Sequence, residues 1–489
     1  MDNRLIPRPV KLGWRPDPPL TLTETATISC TRDGVAGLWR ETLGLPLPAA
    51  AGQATIRLVL DETAGLAPEG YRLSIDPDRL LAVAVSPAGL VNALQTVRQL
   101  QRGGELPSAE IQDAPRFSWR GALLDVSRYF MPAPFLFRMV DLLAMHKLNV
   151  LHLHLTDDQG WRFPSQRYPR LTEVGGWRTE TIIGAGDGSA PGTRYDGIPH
   201  GGAYTRRELT DLVAYAAARN VTVVPEIDLP GHVQAAIAAY PELGNTGEQL
   251  AVRTSWGISD HVLNLSDTAT RFCADILEEV AEIFPSPWIH VGGDECPRTE
   301  WKNSPVIAER GLSSENDLQR WFTGQLNDML RGMNRRLVGW DEIGDEGPVP
   351  AGATVMSWRG VKGGIDAATG GADTIICPVT PCYLDRYQSD SPDEPLAFEG
   401  LNTVADVYAF DPVPGALPPE AASHVLGTQF LLWSEYMPSP AHAEYMAFPR
   451  GVALAEVAWS SPDRDLADFQ RRLAAHLPRL DALGVNYHR

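Results

Sequence analysis

Eight short, almost wholly apolar runs recur between residues 121 and 433, and most are separated by stretches with helical hydrophobic spacing. The runs are Gly121–Val126, Val150–Leu155, Thr222–Ile227, Trp288–Val291, Arg336–Trp340, Thr354–Trp358, Thr374–Cys377 and Leu426–Trp433. Between them, Pro134–His146, Thr205–Arg219 and Ser266–Ile283 carry apolar residues three and four apart, and Thr205-Arg206-Arg207-Glu208 has the capping-box pattern of a helix start. A continuous short run reads as a strand covered on both faces, the condition of a parallel strand in an α/β protein. Eight of them with helices between, over about 350 residues, predict a (β/α)8 TIM barrel. A doubly wound open sheet is the competing arrangement, but no glycine-rich phosphate loop follows any run.

A chain of 489 residues suits one large barrel plus an accessory domain. Residues 1–115 read as that small α+β accessory domain. Ile56, Leu58 and Leu60 alternate, as do Tyr71, Leu73 and Ile75, which suits half-buried strands. A helix through Leu90, Val91, Leu94, Val97 and Leu100 is expected to begin at Ser86-Pro87, with Ser86 as its cap. The catalytic barrel is placed at 116–489 and is expected to close with helices Ala441–Ser460 and Leu466–Leu483. Segments Pro164–Tyr204 and Pro241–Asn264 show no regular pattern and are read as loops over a site.

A net charge of −19 argues against nucleic acid or an anionic membrane as partner, though solubility alone explains it. Five cysteines are too few, and odd in number, for a disulfide framework. Cys377 and Cys382 are near enough in sequence to pair, but are read as buried thiols. The polar, proline-rich stretch Met1–Pro19 has no signal-peptide core, and no run reaches membrane-spanning length. The expectation is a cytoplasmic protein, or a secreted one whose signal is absent from this chain. Oligomeric state stays open.

Polar and aromatic residues stand at the end of nearly every predicted strand. They are Asp125 and Arg128; Asp157 and Asp158; Asp228 and His232; Asp294 and Glu295; Trp340, Asp341 and Glu342; Trp358 and Arg359; Tyr383 and Asp385; Trp433 and Glu435. In a barrel these ends share one face, where active sites are built. Carboxylates with aromatics suit a sugar, whose hydroxyls meet Asp, Glu and Arg while its C–H face meets Trp. Adjacent Asp294 and Glu295 are expected to push their pKa values apart, giving an acid beside an anion. Their adjacency fits poorly with the usual glycosidase pair, which flanks the scissile bond. It fits better if the nucleophile belongs to the substrate. A metal-dependent hydrolase built on His152, His154, His232 and Asp294 is the rival. The second strand continues to Leu155, however, so His152 and His154 are expected inside the barrel, below the active face.

The stretch His290-Val-Gly-Gly-Asp-Glu295 resembles the signature of family 20 glycoside hydrolases, the β-N-acetylhexosaminidases. Arg120–Arg128, His152–Trp161, Pro225–His232, Gly339–Glu342, Tyr383–Asp385 and Leu432–Glu435 are similar to the family's other strand ends, in the same order. Tyr129 is a small departure, at a position where the family often has histidine or asparagine.

The resemblance implies a retaining, substrate-assisted exo-glycosidase acting on terminal β-linked GlcNAc or GalNAc, with no metal and no cofactor. It implies that Asp294 holds the 2-acetamido N–H and that Glu295 is the acid and then the base. An ionised Asp294 would keep Glu295 protonated. Asp157 and His232 contact and tune Glu295. Trp340, Trp358 and Trp433 wall in the acetamide, and Tyr383 donates to its oxygen. Arg128, Glu435 and Asp385 hold the ring hydroxyls, with Asp158 and Asp228 behind the contact residues. The partner is then an amino-sugar-terminated oligosaccharide. The alternative of another class is a catalytically silent amino-sugar-binding barrel.

Overall fold

The computed structural model describes residues 3–50, 52–345 and 347–489. Six strands near the N-terminus form one mixed sheet: β1 Lys11–Trp14, β2 Ile28–Cys30, β3 Ile56–Leu60, β4 Tyr71–Asp76, β5 Arg79–Ala84 and β6 Ala109–Asp113. They pair in the order β1-β6-β4-β5-β3-β2. Ile56 and Leu58 on β3, and Tyr71, Leu73 and Ile75 on β4, point inward, and Arg57 and Arg72 point out. The inner face packs on helices α1 Asp33–Leu43 and α2 Pro87–Leu100. Pro87 opens α2 as expected, but Ser86 does not cap it, since its hydroxyl donates to the Pro68 carbonyl. A nearby carbonyl competes successfully for that hydroxyl, which local sequence cannot reveal.

Eight parallel strands follow: β7 Trp119–Asp125, β8 Val150–His154, β9 Thr222–Glu226, β10 Trp288–His290, β11 Arg336–Trp340, β12 Thr354–Ser357, β13 Asp373–Ile376 and β14 Val425–Leu432. β8 through β14 pair in sequence order and β14 closes on β7, so the barrel is complete. Helices α3 Ala133–Met145, α4 Arg206–Ala218, α5 Asp267–Ile283, α6 Glu315–Gly332 and α7 Lys362–Thr369 lie between successive strands. At the start of α4, Thr205 and Glu208 form the full reciprocal capping box. Its satisfied amides fix where that helix begins.

The single helix expected over 441–460 is two, α9 Pro440–Ala447 and α10 Arg450–Trp459, after α8 Val404–Ala409. Pro449 has no N–H to give the preceding turn, and the chain breaks there. Helix α11 Leu466–Ala482 closes the chain. All five cysteines are free thiols, with Cys377 and Cys382 buried. Among the described residues no helix is long and apolar enough to cross a membrane.

The two sheets are joined through buried polar contacts. The Lys147 ammonium, at the end of α3, donates to Asp113 on β6 and to Tyr71 on β4, both at 2.8 Å. Trp459 of α10 donates to the other oxygen of Asp113 at 2.9 Å and packs into the accessory core. Arg120 on β7 makes a two-oxygen contact with Glu69, at 3.1 and 2.6 Å.

Candidate active site

A cavity of about 490 Å³ opens at the C-terminal ends of the barrel strands. Ten of the eleven residues proposed for the site line it: Arg128, His232, Asp294, Glu295, Trp340, Trp358, Tyr383, Asp385, Trp433 and Glu435. The eleventh, Asp157, lies behind the wall, where it accepts from Arg128 at 2.8 Å and faces His232 at 3.2 Å. Parallel pairing explains the convergence, because it brings every strand end to the same rim.

The loop after β10 is bent to present its carboxylates. Gly292 and Gly293 take φ values of +66° and +100°, and Glu295 itself sits at +45°. A Cβ on Gly292 would fall 1.6 Å from Asp228 Oδ1, so no other residue fits there. Asp228 in turn accepts from the Gly293 amide at 3.3 Å.

Asp294 and Glu295 share one cation. His232 Nε2 is 3.7 Å from Asp294 and 3.6 Å from Glu295. Burial opposes a charge on this imidazole, but Asp157, Asp158 and Glu295 outweigh it and hold its pKa well above the usual range. The upward shift expected of the acidic pair falls on Asp294. Burial pushes it to about 6 against the pull of His232, and Glu226 and Glu295 add to the rise. At neutral pH a group with a pKa of about 6 is still mainly the anion.

Three indoles and a phenol wall the inner end of the cavity. Trp340 and Trp433 lie 5.9 Å apart, and Tyr383 is 6.3 Å from both Trp433 and Trp358. Trp340 donates to Glu226 at 2.9 Å and Trp358 to Glu342 at 3.0 Å. Both indoles are thereby held by a carboxylate on the side away from the cavity. Around the outer part, Arg128 pairs with Asp125 at 3.3 Å and faces Glu435 at 4.0 Å. Burial pushes Asp385 to about 8 and Glu435 to about 7.

Among the described residues, five buried polar atoms of the lining have no hydrogen-bond partner within the protein: the acceptors Asp294 Oδ1, Asp385 Oδ1 and Glu435 Oε2, and the nitrogens His232 Nε2 and Arg386 Nε. Unpaired buried polar groups are costly, and three carboxylate acceptors with two N–H donors around one cavity mark it as built for a ligand that both donates and accepts hydrogen bonds. Residues Gly186, Asp187, Trp256, Gly257 and Ile258 complete the rim, so both unpatterned segments do reach the site. Asp158 secures this rim by accepting from the amides of Gln234 and Ser259 at 3.0 and 3.3 Å.

His152 and His154 are fully buried inside the barrel, as expected. His154 nevertheless belongs to the site, bridging Glu226 at 2.5 Å and Asp157 at 2.8 Å. Among the described residues, four groups of His, Asp and Glu, including His152-Glu226-His290 and His232-Asp294-Glu295, bring potential ligand atoms within 4.8 Å of one another. Flanking carboxylates hold His154 and His232 well above the usual imidazole range, whereas burial pushes His152 down to about 4. Sequence reasoning missed Glu226 and gave Glu342 no role. Each follows its neighbours' motif closely, but its significance lies in contacts from other strands.

The family model described as glycosyl hydrolase family 20, catalytic domain, matches residues 117–462, and that for domain 2 of the same family matches residues 2–114. A β-hexosaminidase of Porphyromonas gingivalis is 41% identical over 451 residues, covering 88% of this chain and 56% of that protein. This chain thus spans little more than half of that relative. A β-N-acetylhexosaminidase of Cellulomonas fimi is 34% identical, covering 100% of this chain and 96% of its own length. The crystal structure of a family 20 exo-β-N-acetylglucosaminidase from Vibrio harveyi, in complex with N-acetylglucosamine, matches with a TM-score of 0.87 at 31% identity. That match covers 99% of this chain and 78% of the Vibrio chain. The barrel and the domain preceding it agree with these matches: the chain belongs to glycosyl hydrolase family 20.

Proposed function

We propose that this chain is a retaining exo-β-N-acetylhexosaminidase, releasing terminal non-reducing GlcNAc or GalNAc by attack of the substrate's own 2-acetamido oxygen. One observation carries the reading. The unpartnered Oδ1 of Asp294 adjoins a pocket walled by Trp340, Trp358, Trp433 and Tyr383, a shape and polarity suited to an acetamide group. The indoles exclude water and bend the amide toward the anomeric carbon, and Asp294 accepts its N–H. An amide oxygen is a weak nucleophile, so this orientation and the nearby negative charge supply much of the rate.

In the first step Glu295 gives a proton to the glycosidic oxygen, the bond from C1 to that oxygen breaks, and the acetamido oxygen bonds to C1. The cyclic oxazolinium cation is stabilised by ionised Asp294. In the second step water bonds to C1, Glu295 takes the proton from that water, and the acetamido oxygen leaves. Two inversions give retention. Most glycosidases place a carboxylate on either side of the scissile bond; here the substrate replaces one of them. Arg128, Glu435 and Asp385 surround the outer hydroxyls and close the pocket beyond one sugar, which makes the action exo.

The test compares aryl β-glycosides of GlcNAc, GalNAc and glucose, with an oxazoline-mimicking thiazoline as inhibitor. Turnover of the two acetamido sugars, poor cleavage of the glucoside and inhibition by the thiazoline are expected. Efficient cleavage of the glucoside sinks the substrate-assisted mechanism, and binding without turnover leaves only a sugar-binding barrel. Loss of activity in chelator would restore the metal-dependent reading.

A further inference from the structure

Glu226 ends β9 with no exposed surface, yet side chains from three other strands converge on its carboxylate. Trp340 Nε1 and His290 Nδ1 each lie 2.9 Å from Oε1. His154 Nδ1 lies 2.5 Å and His152 Nε2 3.2 Å from Oε2. Two arms run from this point to the cavity. One is direct, through the Trp340 indole. The other passes from His154 to Asp157 at 2.8 Å, and from Asp157 to Arg128 at 2.8 Å and His232 at 3.2 Å.

We propose that Glu226 is a positioning residue of the reaction: its buried carboxylate holds the indole against the acetamide and, through His154 and Asp157, holds His232 and Arg128 against the reacting carboxylates and the sugar. This rests on the hexosaminidase reading and deepens it. The energetics favour a role beyond packing. A buried carboxylate is expensive even when paired, and well-packed apolar residues often stabilise a core as well or better. The second arm alternates in charge, anion to cation, from Glu226 through His154 and Asp157 to His232. Each link fixes the next, as the partners behind a ligating or catalytic group commonly do. The arms also share one anchor, so the acetamide wall and the acid end of the site are held in a fixed mutual register.

The test uses the full chain with an aryl N-acetyl-β-glucosaminide as substrate and the thiazoline as inhibitor. Glu226→Gln and His154→Gln are compared with wild type, each checked for folding by circular-dichroism melting. Glu226→Gln is expected to lower kcat and to weaken thiazoline inhibition, each by about 10–100-fold, because both arms slacken. His154→Gln is expected to lower kcat by a similar factor but to leave thiazoline inhibition within about threefold, because Trp340 keeps its acceptor. A carboxylate serving only barrel stability would lower melting temperature and the yield of active protein, leaving the inhibition constant and KM alone. A folded Glu226→Gln enzyme with wild-type kcat and inhibition overturns the inference. If that variant does not fold, wild-type kcat in His154→Gln overturns it equally. A wild-type chain that fails to hydrolyse the substrate overturns the hexosaminidase reading, and the role of Glu226 with it; active wild type with unaffected variants overturns the role alone.

Discussion

The imidazole of His232 leans on Asp157 through Nδ1 at 3.2 Å, which leaves Nε2 turned toward Asp294 and Glu295. A single cation thus faces both carboxylates. In the proposed mechanism Asp294 is ionised when it receives the acetamide N–H, so activity is expected to fall as pH drops through its pKa. The acid limb of kcat/KM, which reports free enzyme, is expected near the value of about 6 that burial imposes. The limb of kcat should lie lower, since substrate hydrogen bonding favours the anion. His232→Asn removes a cation that pulls this pKa down, so its kcat/KM limb moves upward. A pH–rate series on both enzymes checks the sign; coincident limbs exclude Asp294 as the titrating group.

Asp294→Asn keeps the size of the side chain and loses the charge that, in the proposed mechanism, stabilises the oxazolinium. The loss in kcat for an aryl N-acetylglucosaminide is expected at about 10²–10³-fold, the scale of one preorganised electrostatic contact. Hydrolysis of the corresponding glucoside, already slow, should hardly change. The ratio of the two rates is the measurement. A ratio equal to that of wild type contradicts the assigned role.

Asp385 links function to stability. Burial raises its folded pKa to about 8, far above the unfolded value. The folded state therefore binds the proton more tightly, and stability is lost as pH rises toward 8. Glu435, pushed to about 7, acts in the same direction. The excess melting temperature of Asp385→Asn over wild type is expected to widen from pH 5 to pH 8.5, where it reaches about 2–4 °C, while the variant weakens substrate binding. Melting curves at the two pH values decide it; an excess that does not widen refutes the linkage.

Lys147 is one of the buried ties between the accessory sheet and the barrel. Replacing it with methionine keeps the bulk but strands Asp113 without its cation. Removal of one partner from a buried pair typically costs about 3–5 kcal/mol, and a loss of that order is expected in denaturant unfolding. Loss of less than about 1 kcal/mol would mean that Tyr71 and Trp459 satisfy Asp113 unaided. Activity at moderate temperature should survive, as the cavity is untouched.

Much of this architecture was legible in the order of residues. The runs Gly121–Val126, Val150–Leu155, Thr222–Ile227, Trp288–Val291, Arg336–Trp340, Thr354–Trp358, Thr374–Cys377 and Leu426–Trp433 could be recognised as buried strands because burial on both faces leaves a local mark. Parallel pairing then required their ends to meet. The helix break at Pro449 was overlooked although proline is a local signal, because the apolar spacing continues across it. Ser86 shows the opposite limit: a good capping residue by type, it is drawn away by the Pro68 carbonyl from another part of the chain.

By itself the sequence determined the barrel, its accessory domain and the identity of the groups at the active rim, since periodicity and strand ends are local properties. Only the tertiary structure decided what those groups do to one another. The pKa of Asp294 is set by burial and by His232 and Glu226, which arrive on other strand ends. Glu226 looks like one more strand residue until three strands turn histidines and a tryptophan onto it. Desolvation and convergence depend on distance in space, and distance in space is what a linear pattern does not contain.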